Sequence, residues 1–269
     1  MKTFNFLPEG WSNETINIKD TNEINEYIQN GQVLQGIVEE CDDTFNLHIN
    51  LGAGISGVMP RNEIEWINLE NDGTPKKNLC VGKVHKYIQF KVKGVTENKN
   101  IILSRKDVQK EALEQAIGNL NEGDKVNGIV KNITPYGAFV EIGGGVVGLA
   151  HIEDLSVARI KSPFERLKIG QKVNVVVKSI DRTSNKISLS YKESFGTWIE
   201  NANKFKVGDK VTGIIRETEK NKNGIFIELT PNLVGMIEYK NGLIYGKKIN
   251  VLIKKIDYEK QKIKLSLIN

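Results

Sequence analysis

Apolar and polar residues alternate with the strand period along five short runs between residues 122 and 192, and valine and isoleucine fill most apolar positions. The runs cover residues 125–133, 138–142, 146–150, 172–180 and 186–190. Proline and glycine mark turns at 134–137 and 143–145. The first run is long and contains Gly128, where a strand can bend to serve both sides of a barrel. This pattern predicts a closed five-stranded Greek-key barrel of the oligonucleotide-binding (OB) fold.

A fixed skeleton of glycines and a closing Leu-Ser pair occurs three times along the 269-residue chain. The opening glycines are Gly31 and Gly36, Gly123 and Gly128, Gly208 and Gly213; the later ones are Gly57 and Gly82, Gly148 and Gly170, Gly235 and Gly246; Leu-Ser stands at 103–104, 189–190 and 265–266. A repeat of roughly ninety residues is too long for a solenoid unit and long enough for a small domain. We therefore predict a mainly β chain of three tandem barrels.

The pattern changes to the helical period between the predicted barrels. Residues 107–120 predict a linking helix with the apolar face Val108, Leu113, Ala116, Ile117 and Leu120. A shorter helix is expected at 197–203, anchored by Trp198, and a helical crossing is expected to begin at 162–165. Before the first barrel, Asp20 and Glu23 suit a capping box for a helix that ends at Gly31.

These elements divide the chain into six segments. We predict an N-terminal segment with a short helix (1–30), a first barrel (31–105), a linker helix (106–121), a second barrel (122–192), a linker (193–205) and a third barrel (206–269). The third barrel has a shortened connection, because Gly246 follows Gly235 by only eleven positions, whereas Gly170 follows Gly148 by twenty-two in the second barrel.

The net charge of +5 is distributed unevenly. Residues 1–105 carry a net charge of −3, whereas residues 122–192 hold eleven basic and seven acidic groups and residues 206–269 hold thirteen and seven. Basic clustering favours a polyanionic partner through counterion release.

Several classes of protein are disfavoured. No apolar run approaches the roughly twenty residues of a membrane helix, and the first residues lack the apolar stretch of a secretory signal, so we expect a cytoplasmic protein without membrane contact. Cys41 and Cys80 are expected to be reduced core residues. Three scattered histidines and the hairpin glycines 143–145 provide neither a metal cluster nor a phosphate loop. We predict no enzyme, no cofactor and no small-molecule substrate.

Several segments resemble the S1 RNA-binding domain. They are residues 136–141 (Tyr-Gly-Ala-Phe-Val-Glu), 148–155 (Gly-Leu-Ala-His-Ile-Glu-Asp-Leu), 180–181 and 186–190. Residues 159–170 and the linker from 189 to 209 are similar to the RNA-binding repeats of the bacterial ribosomal protein S1 family. The resemblance runs from about residue 26 onward and is most specific in the second barrel.

The resemblance implies an RNA face of two aromatic residues, a histidine, an aspartate and a basic residue. It places these at Tyr136, Phe139, His151, Asp181 and Lys186, the last where arginine is usual. In the third barrel, Phe226 occupies the position of an aromatic residue of this face. Lys131 and Arg182 are the remaining candidate RNA-binding residues. Flat rings can stack on unpaired bases, and a histidine or lysine can reach a base edge or a phosphate. In the alternative interpretation, Phe139 packs in the barrel core and Tyr136 lies on an ordinary turn.

The other two barrels depart from this pattern. In the third, Asn223 stands where Tyr136 does and Glu238 replaces the histidine, although lysines are dense and phosphate contacts are expected. In the first, counting from Gly36 puts Thr44 and Leu47 at the aromatic positions, Pro60 replaces the histidine, and Phe45 falls at the wrong parity. We therefore expect the first barrel to have a degenerate RNA face.

In the ribosomal family, a leading repeat of this kind docks to the small subunit through ribosomal protein S2. We therefore hypothesise that the first barrel, with Phe4, Phe6 and Trp11, forms a protein-binding module. These aromatic residues could equally fold back on that barrel or be disordered.

The expected function is binding of single-stranded RNA, with messenger RNA presented to the small ribosomal subunit. Two alternatives stay open. A free regulator of transcripts or transcription would bind RNA without the ribosome. A protein-interaction scaffold would bind little RNA.

Overall fold

The structure, a computed structural model, describes residues 4–67, 69–217 and 224–268, with only the backbone of Thr21 and Glu217. Three closed five-stranded barrels follow one another along the chain. In each, the first strand pairs with the second and fourth, and the fifth strand closes the barrel against the third and fourth. The prediction of three tandem OB-fold barrels joined by short helices is confirmed.

The first barrel follows a capped helix. Its elements are α1 (Thr21–Asn30), β1 (Leu34–Cys41), β2 (Leu47–Gly52), β3 (Ile55–Met59), α2 (Lys77–Val81), β4 (Tyr87–Val95) and β5 (Ile101–Ser104). The Asp20 side chain accepts a hydrogen bond from the Asn22 N–H at 3.1 Å, and the helix ends at Gly31, whose φ of 57° suits glycine. Cys41 and Cys80 form no disulfide and pack against the core of this barrel.

The second barrel has the five predicted strands, each within one residue of its expected ends. Its elements are β6 (Lys125–Thr134), β7 (Gly137–Gly143), β8 (Val146–His151), α4 (Ile152–Leu155), β9 (Lys172–Asp181) and β10 (Lys186–Ser190). The expected crossing is a single 3-10 turn, Pro163–Glu165, in which Ser162 and Glu165 cap each other's backbone.

The third barrel is the smallest. It comprises β11 (Lys210–Glu217), β12 (Ile225–Thr230), β13 (Leu233–Ile237), β14 (Lys248–Asp257) and β15 (Lys262–Leu267). The described connection from β13 to β14 contains no helix, as the short spacing of its glycines predicts. The position of Asn223 lies outside the described residues.

Helices begin where the first two Leu-Ser pairs end. The linking helix α3 (Arg105–Asn119) is capped by the Ser104 hydroxyl, which accepts from the Asp107 N–H at 3.0 Å. It buries Ala112 and Ala116 against the core of the second barrel, while the predicted contacts Leu113 and Ile117 are only partly buried. The second linker forms α5 (Trp198–Ala202), with a capping box between Thr197 and Glu200.

The repeated glycines make room for core side chains. A Cβ built on Gly57, Gly148 or Gly235 would lie 2.6 Å from a Cδ1 atom of the closing leucine of its own barrel, Leu103, Leu189 or Leu265. The middle glycine and the closing Leu-Ser therefore recur together because the leucine packs over the bare glycine backbone.

The aromatic residues of the N-terminal segment pack against the second barrel, so the alternative that they fold back on the first barrel is wrong. Phe4 and Phe6 contact the core of the second barrel. The Lys172 ammonium lies over the Trp11 ring, 5.7 Å from its centre, and donates to the Trp11 carbonyl. This placement partly buries apolar rings that the sequence leaves without a partner.

A buried charge network joins the first two barrels. Arg105 donates through Nε and Nη2 to the Glu9 carboxylate at 2.6 and 2.9 Å, and its Nη1 lies 2.8 Å from a Glu65 oxygen. Glu9 also accepts from the Gln89 N–H, while its own N–H donates to Glu141 at 2.9 Å. The segment around Glu9 therefore links β4, α3 and β7.

A second ionic junction joins the second and third barrels. Arg166 Nη2 lies 2.7 Å from Glu228, and Arg216 contacts both Glu228 and Glu165. The Tyr245 hydroxyl donates to the Glu165 carboxylate at 3.1 Å. Arg166, Arg216 and Glu228 are almost fully buried, so this junction is shielded from solvent.

Candidate nucleic-acid interface

The two predicted aromatic residues of the second barrel stand together at its surface. Tyr136 lies in the turn between β6 and β7 and is 50% exposed, and Phe139, two residues into β7, is half-buried. Their ring centres are 6.2 Å apart, with planes at 83°. Neither ring belongs to the core cluster of this barrel. The alternative that Phe139 lies inside the barrel therefore does not describe its position.

Strand register places His151 beside this pair. His151 ends β8 opposite Gly137, and a side chain at Gly137 would collide with the Ala150 carbonyl. The glycine thus allows β8 to approach β7 closely. The exposed imidazole also caps α4, because Nδ1 accepts from the Glu153 N–H at 3.5 Å.

Asp181 and Lys186 face each other across the turn between β9 and β10. Phe139 pairs with Leu149, and Leu149 pairs with Ser188 in the parallel strand β10. Because β8 and β10 run in the same direction, His151 and Lys186 lie on opposite sides of this row, roughly 13 Å apart along the strands. Phe139 therefore lies between a histidine and a lysine.

The Asp181 carboxylate is used within its own turn. It accepts hydrogen bonds from the Ser184 hydroxyl and from the N–H groups of Thr183 and Ser184. The Ser184 hydrogen bonds, with smaller help from Lys186, lower the pKa of Asp181. Asp181 thus stays ionised and fixes the turn that presents Lys186.

The structure does not bring Lys131 and Arg182 into this face. Lys131 Nζ lies 2.5 Å from Glu141 and lines the cavity between the first two barrels. The Arg182 guanidinium donates to the Ile117 carbonyl at 2.8 Å and to the Leu120 carbonyl at 3.5 Å, at the end of α3. Both groups already have partners, so they are less available than Lys186.

The third barrel presents Phe226 at the position of Phe139. Phe226 pairs with Met236 as Phe139 pairs with Leu149, and the ring is half-buried. Asp257 and Lys262 pair across the last turn as Asp181 and Lys186 do. A hydrogen bond from the Lys260 N–H lowers the pKa of Asp257.

The assignment of Thr44 and Leu47 to the aromatic positions of the first barrel is wrong. Cross-strand pairing puts His48 opposite Val58, as Phe139 is opposite Leu149, and Leu47 is fully buried. Five residues separate the paired Cys41 and Leu47, against four between the equivalent pair Ile133 and Ala138, so counting from Gly36 slips the register by one. Phe45 precedes His48 by three residues, as Tyr136 precedes Phe139.

The rings of this first-barrel face are already engaged. Arg61 and Lys77 lie over the Phe45 ring, 5.3 and 5.1 Å from its centre, and His48 Nε2 lies 3.2 Å from Asp42. Hydrogen bonds from Thr44 first, and from Asn46 and His48, hold the pKa of Asp42 well below its usual range. The face therefore has flat groups, but its own side chains cover them.

Sequence reasoning missed one aromatic pair. Trp198 of α5 and Tyr258 of the turn between β14 and β15 lie with ring centres 5.9 Å apart. Trp198 was expected only as a helix anchor, and Tyr258 occupies a turn position where the family pattern predicts nothing. The signal that could have revealed the pair is the equivalence of Tyr258 and Arg182, each of which follows the turn aspartate and contacts the preceding linker helix.

Within 4–67, 69–217 and 224–268, acidic, histidine and cysteine side chains form no group that could hold a metal ion. In the same ranges no helix is long and apolar enough to cross a bilayer.

Comparison with known proteins places this geometry in a family. Residues 27–106 and 119–192 match the S1 RNA binding domain. The chain is 46% identical over 109 residues to small ribosomal subunit protein bS1 of Staphylococcus aureus, covering 39% of this chain and 28% of that protein. It is 36% identical over 177 residues to bS1 of Staphylococcus saprophyticus, covering 65% and 43%. The chain thus spans less than half of these relatives.

Solved structures match this chain with low TM-scores. One is GSP13 from Bacillus subtilis, 32% identical over 29% of this chain and 61% of that chain, with a TM-score of 0.28. Another is a multidomain protein with nucleic acid binding domains from Streptococcus pneumoniae, 12% identical over 88% of this chain and 73% of that chain, with a TM-score of 0.27.

Proposed function

Because the chain belongs to the S1 RNA-binding domain family, we propose that it binds single-stranded RNA, chiefly messenger RNA, through the open face of its second barrel. The observation that carries this proposal is the pair of surface rings, Tyr136 and Phe139, with His151 and Lys186 on either side. The function is binding without chemistry. The proposed site within the cell is the cytoplasmic small ribosomal subunit.

The geometry suits unpaired RNA better than duplex. Two rings at a large angle offer separate faces to successive bases, which only an unstacked strand can present. Each stacked base contributes roughly 1–3 kcal/mol. Two bases and a few phosphate contacts give only micromolar-class affinity at best, so tight binding requires a second barrel on the same strand.

The role in translation rests on the relatives named above, which are small ribosomal subunit proteins. Docking of the first barrel to the ribosome, with ribosomal protein S2 as a candidate partner, is part of the same proposal. It is supported by the charge balance of residues 31–105, which hold nine basic and nine acidic groups, and by the covered rings of that barrel. A surface without net positive charge and without free stacking rings is unfavourable for RNA.

The test is a titration with short single-stranded RNA at several salt concentrations, together with ribosome pelleting. We expect micromolar binding that weakens steeply with salt, and sedimentation with the small subunit. RNA binding without sedimentation would favour the free regulator instead. Negligible RNA affinity with a flat salt dependence would refute the proposal in favour of a scaffold.

A further inference from the structure

An open groove on the third barrel combines Phe226, Asp257 and Lys262, which occupy positions of the family pattern, with Trp198, which that pattern does not predict. It measures about 690 Å³ and lies where α5 meets the barrel wall. Trp198, Phe226 and Met236 form its apolar surface. The edge of Trp198 faces the ring of Tyr258, which is 46% exposed. Apolar side chains of this size are usually covered when no ligand binds.

Positive charge surrounds this apolar surface. Lys255, Lys262 and Lys264 line the groove, against one carboxylate, that of Asp257. The side chains of Lys255 and Lys264 are 68% and 62% exposed, so their pairs with acidic neighbours, at 3.3 and 3.8 Å, are solvated and weak. These ammonium groups can therefore exchange such partners for phosphates.

We propose that this groove is a second base-binding site, in which RNA bases stack on Trp198, Tyr258 and Phe226 while the lysines hold the adjoining phosphates. The inference rests on the proposed function, and it assigns the third barrel contacts with bases in addition to phosphates. Trp198 and Tyr258 supply the ring area that the family pattern places just before β12. Aromatic rings beside a cationic rim are the usual surface for single-stranded nucleic acid.

The groove also extends to the second barrel. Val157, which lies six residues after His151, is part of its lining. The Cα atoms of His151 and Val157 are therefore within about 20 Å of each other, the reach of a fully extended segment of that length. A short single strand can span this distance and reach both the face of the second barrel and the groove.

Fluorescence provides a direct readout, because the chain has three tryptophans. The full chain carrying Trp11→Phe and Trp66→Phe retains Trp198 alone. Titration with a single-stranded oligouridylate should quench this fluorescence to saturation. An abasic oligomer of the same length should bind weakly and quench little, since it offers phosphates without rings.

Tyr258→Ala, at an exposed turn, should weaken binding of the oligouridylate at least fivefold, which corresponds to the loss of about 1 kcal/mol of stacking. The matched control is Phe164→Ala, which removes a ring that is 61% exposed and lies outside the groove, and it should bind like the wild type.

Three outcomes would overturn the inference. If RNA binds but Trp198 fluorescence is unchanged and Tyr258→Ala has wild-type affinity, the groove is not a base site and the proposed function still stands. If RNA does not bind the wild-type chain at all, both proposals fail. Quenching by a polyglutamate peptide but not by RNA would assign the groove to an acidic protein partner.

Discussion

At the scale of single residues, Tyr136 and Phe139 are placed where their rings can contact RNA without forming part of the barrel core. One ring lies in a turn and the other on the outer face of β7, and both are absent from the barrel core. Core side chains cost several kcal/mol when truncated, whereas surface rings cost little. Substitutions here should therefore change RNA affinity without changing stability.

The double variant Tyr136→Ala, Phe139→Ala should weaken binding of single-stranded RNA at least tenfold, because two stacked bases lose their platforms. Its thermal transition should stay close to that of the wild type. Fluorescence anisotropy with a labelled oligonucleotide and differential scanning calorimetry measure the two effects. Wild-type affinity in the double variant would contradict the stacking model.

A second residue-scale prediction concerns the glycine that recurs in the middle of each barrel. Gly148→Ala would place a methyl group 2.6 Å from Leu189 Cδ1 and 3.0 Å from the Ile187 carbonyl oxygen. Overpacking of this kind lowers the free energy of unfolding by about 1–3 kcal/mol. Denaturant unfolding measures the loss.

The control for this prediction is Gly118→Ala, because Gly118 lies in α3 with open space around it. Alanine is a better helix former than glycine, so this change should stabilise the protein by up to about 1 kcal/mol. Equal effects at the two positions would show that the contact with Leu189 is unimportant.

At the scale of elements, the sequence predicts what depends on local pattern. The strands of the second barrel, the helix end at Gly31 and the shortened connection after β13 all follow from periodicity, caps and glycine spacing. Strand pairing in the first barrel does not. One extra residue in the turn before β2 shifts His48 into the place assigned to Leu47, and only cross-strand hydrogen bonding reveals it.

Long-range packing likewise could not be predicted from the sequence. Nothing in the local pattern around Glu9 indicates that its carboxylate meets Arg105, 96 residues away. The same holds for Trp198 and Tyr258, which depend on how α5 packs against the third barrel. Such contacts are fixed by tertiary structure, which single-sequence periodicity does not describe.

The junction between the first two barrels should respond to acid through Glu9. Burial alone would raise the pKa of this carboxyl group, but attraction by Arg105, and by Lys83 and Lys131, lowers it to about 2. Burial and the nearby Glu9 carboxylate instead raise the pKa of Glu141. Glu65, which also faces Arg105 and Lys83, has a lowered pKa.

A folded-state pKa below the unfolded value means that the ionised form of Glu9 stabilises the fold. This contribution is complete above about pH 4.5 and is lost as the pH falls toward 2. Glu9→Gln should lower the free energy of unfolding by about 3–5 kcal/mol at pH 7, since it leaves Arg105 without its main partner. The difference from the wild type should nearly vanish at pH 2.

Urea unfolding of both proteins across this pH range checks the prediction. Glu114→Gln, on the exposed side of α3, is the matched control and should differ little from the wild type at any pH. A Glu9→Gln difference that is independent of pH would show that the ion pair with Arg105 contributes no net stability. The variant retains an acceptor for Gln89, so hydrogen bonding alone does not explain a loss.

At the scale of the whole molecule, equivalent positions in β7 and β12 each supply a glutamate to a junction between barrels. Glu141 and Glu228 lie two residues after Phe139 and Phe226. Glu141 accepts from the N–H of Glu9, and Glu228 pairs with Arg166 of the preceding barrel. The residues that orient the barrels thus share the outer face of a strand with the aromatic residues proposed to bind RNA. Fixed orientation matters because a second binding event on the same RNA depends on effective concentration.

Arg166→Gln tests this coupling, because it removes the ion pair with Glu228 and leaves the contacts of Glu165 with Arg216 and Tyr245 to hold the junction. Glu228 keeps its pair with Arg216 inside the third barrel. The two barrels should then move more freely, and a larger radius of gyration in small-angle X-ray scattering would register this. Affinity for a long oligonucleotide that spans both barrels should fall about threefold or more, since looser tethering lowers effective concentration. Affinity for an oligonucleotide short enough for one barrel should not change.

Lys168→Gln, an exposed change in the same loop, is the control. If the long and short oligonucleotides lose affinity equally, Arg166 acts on the RNA face itself rather than on barrel orientation.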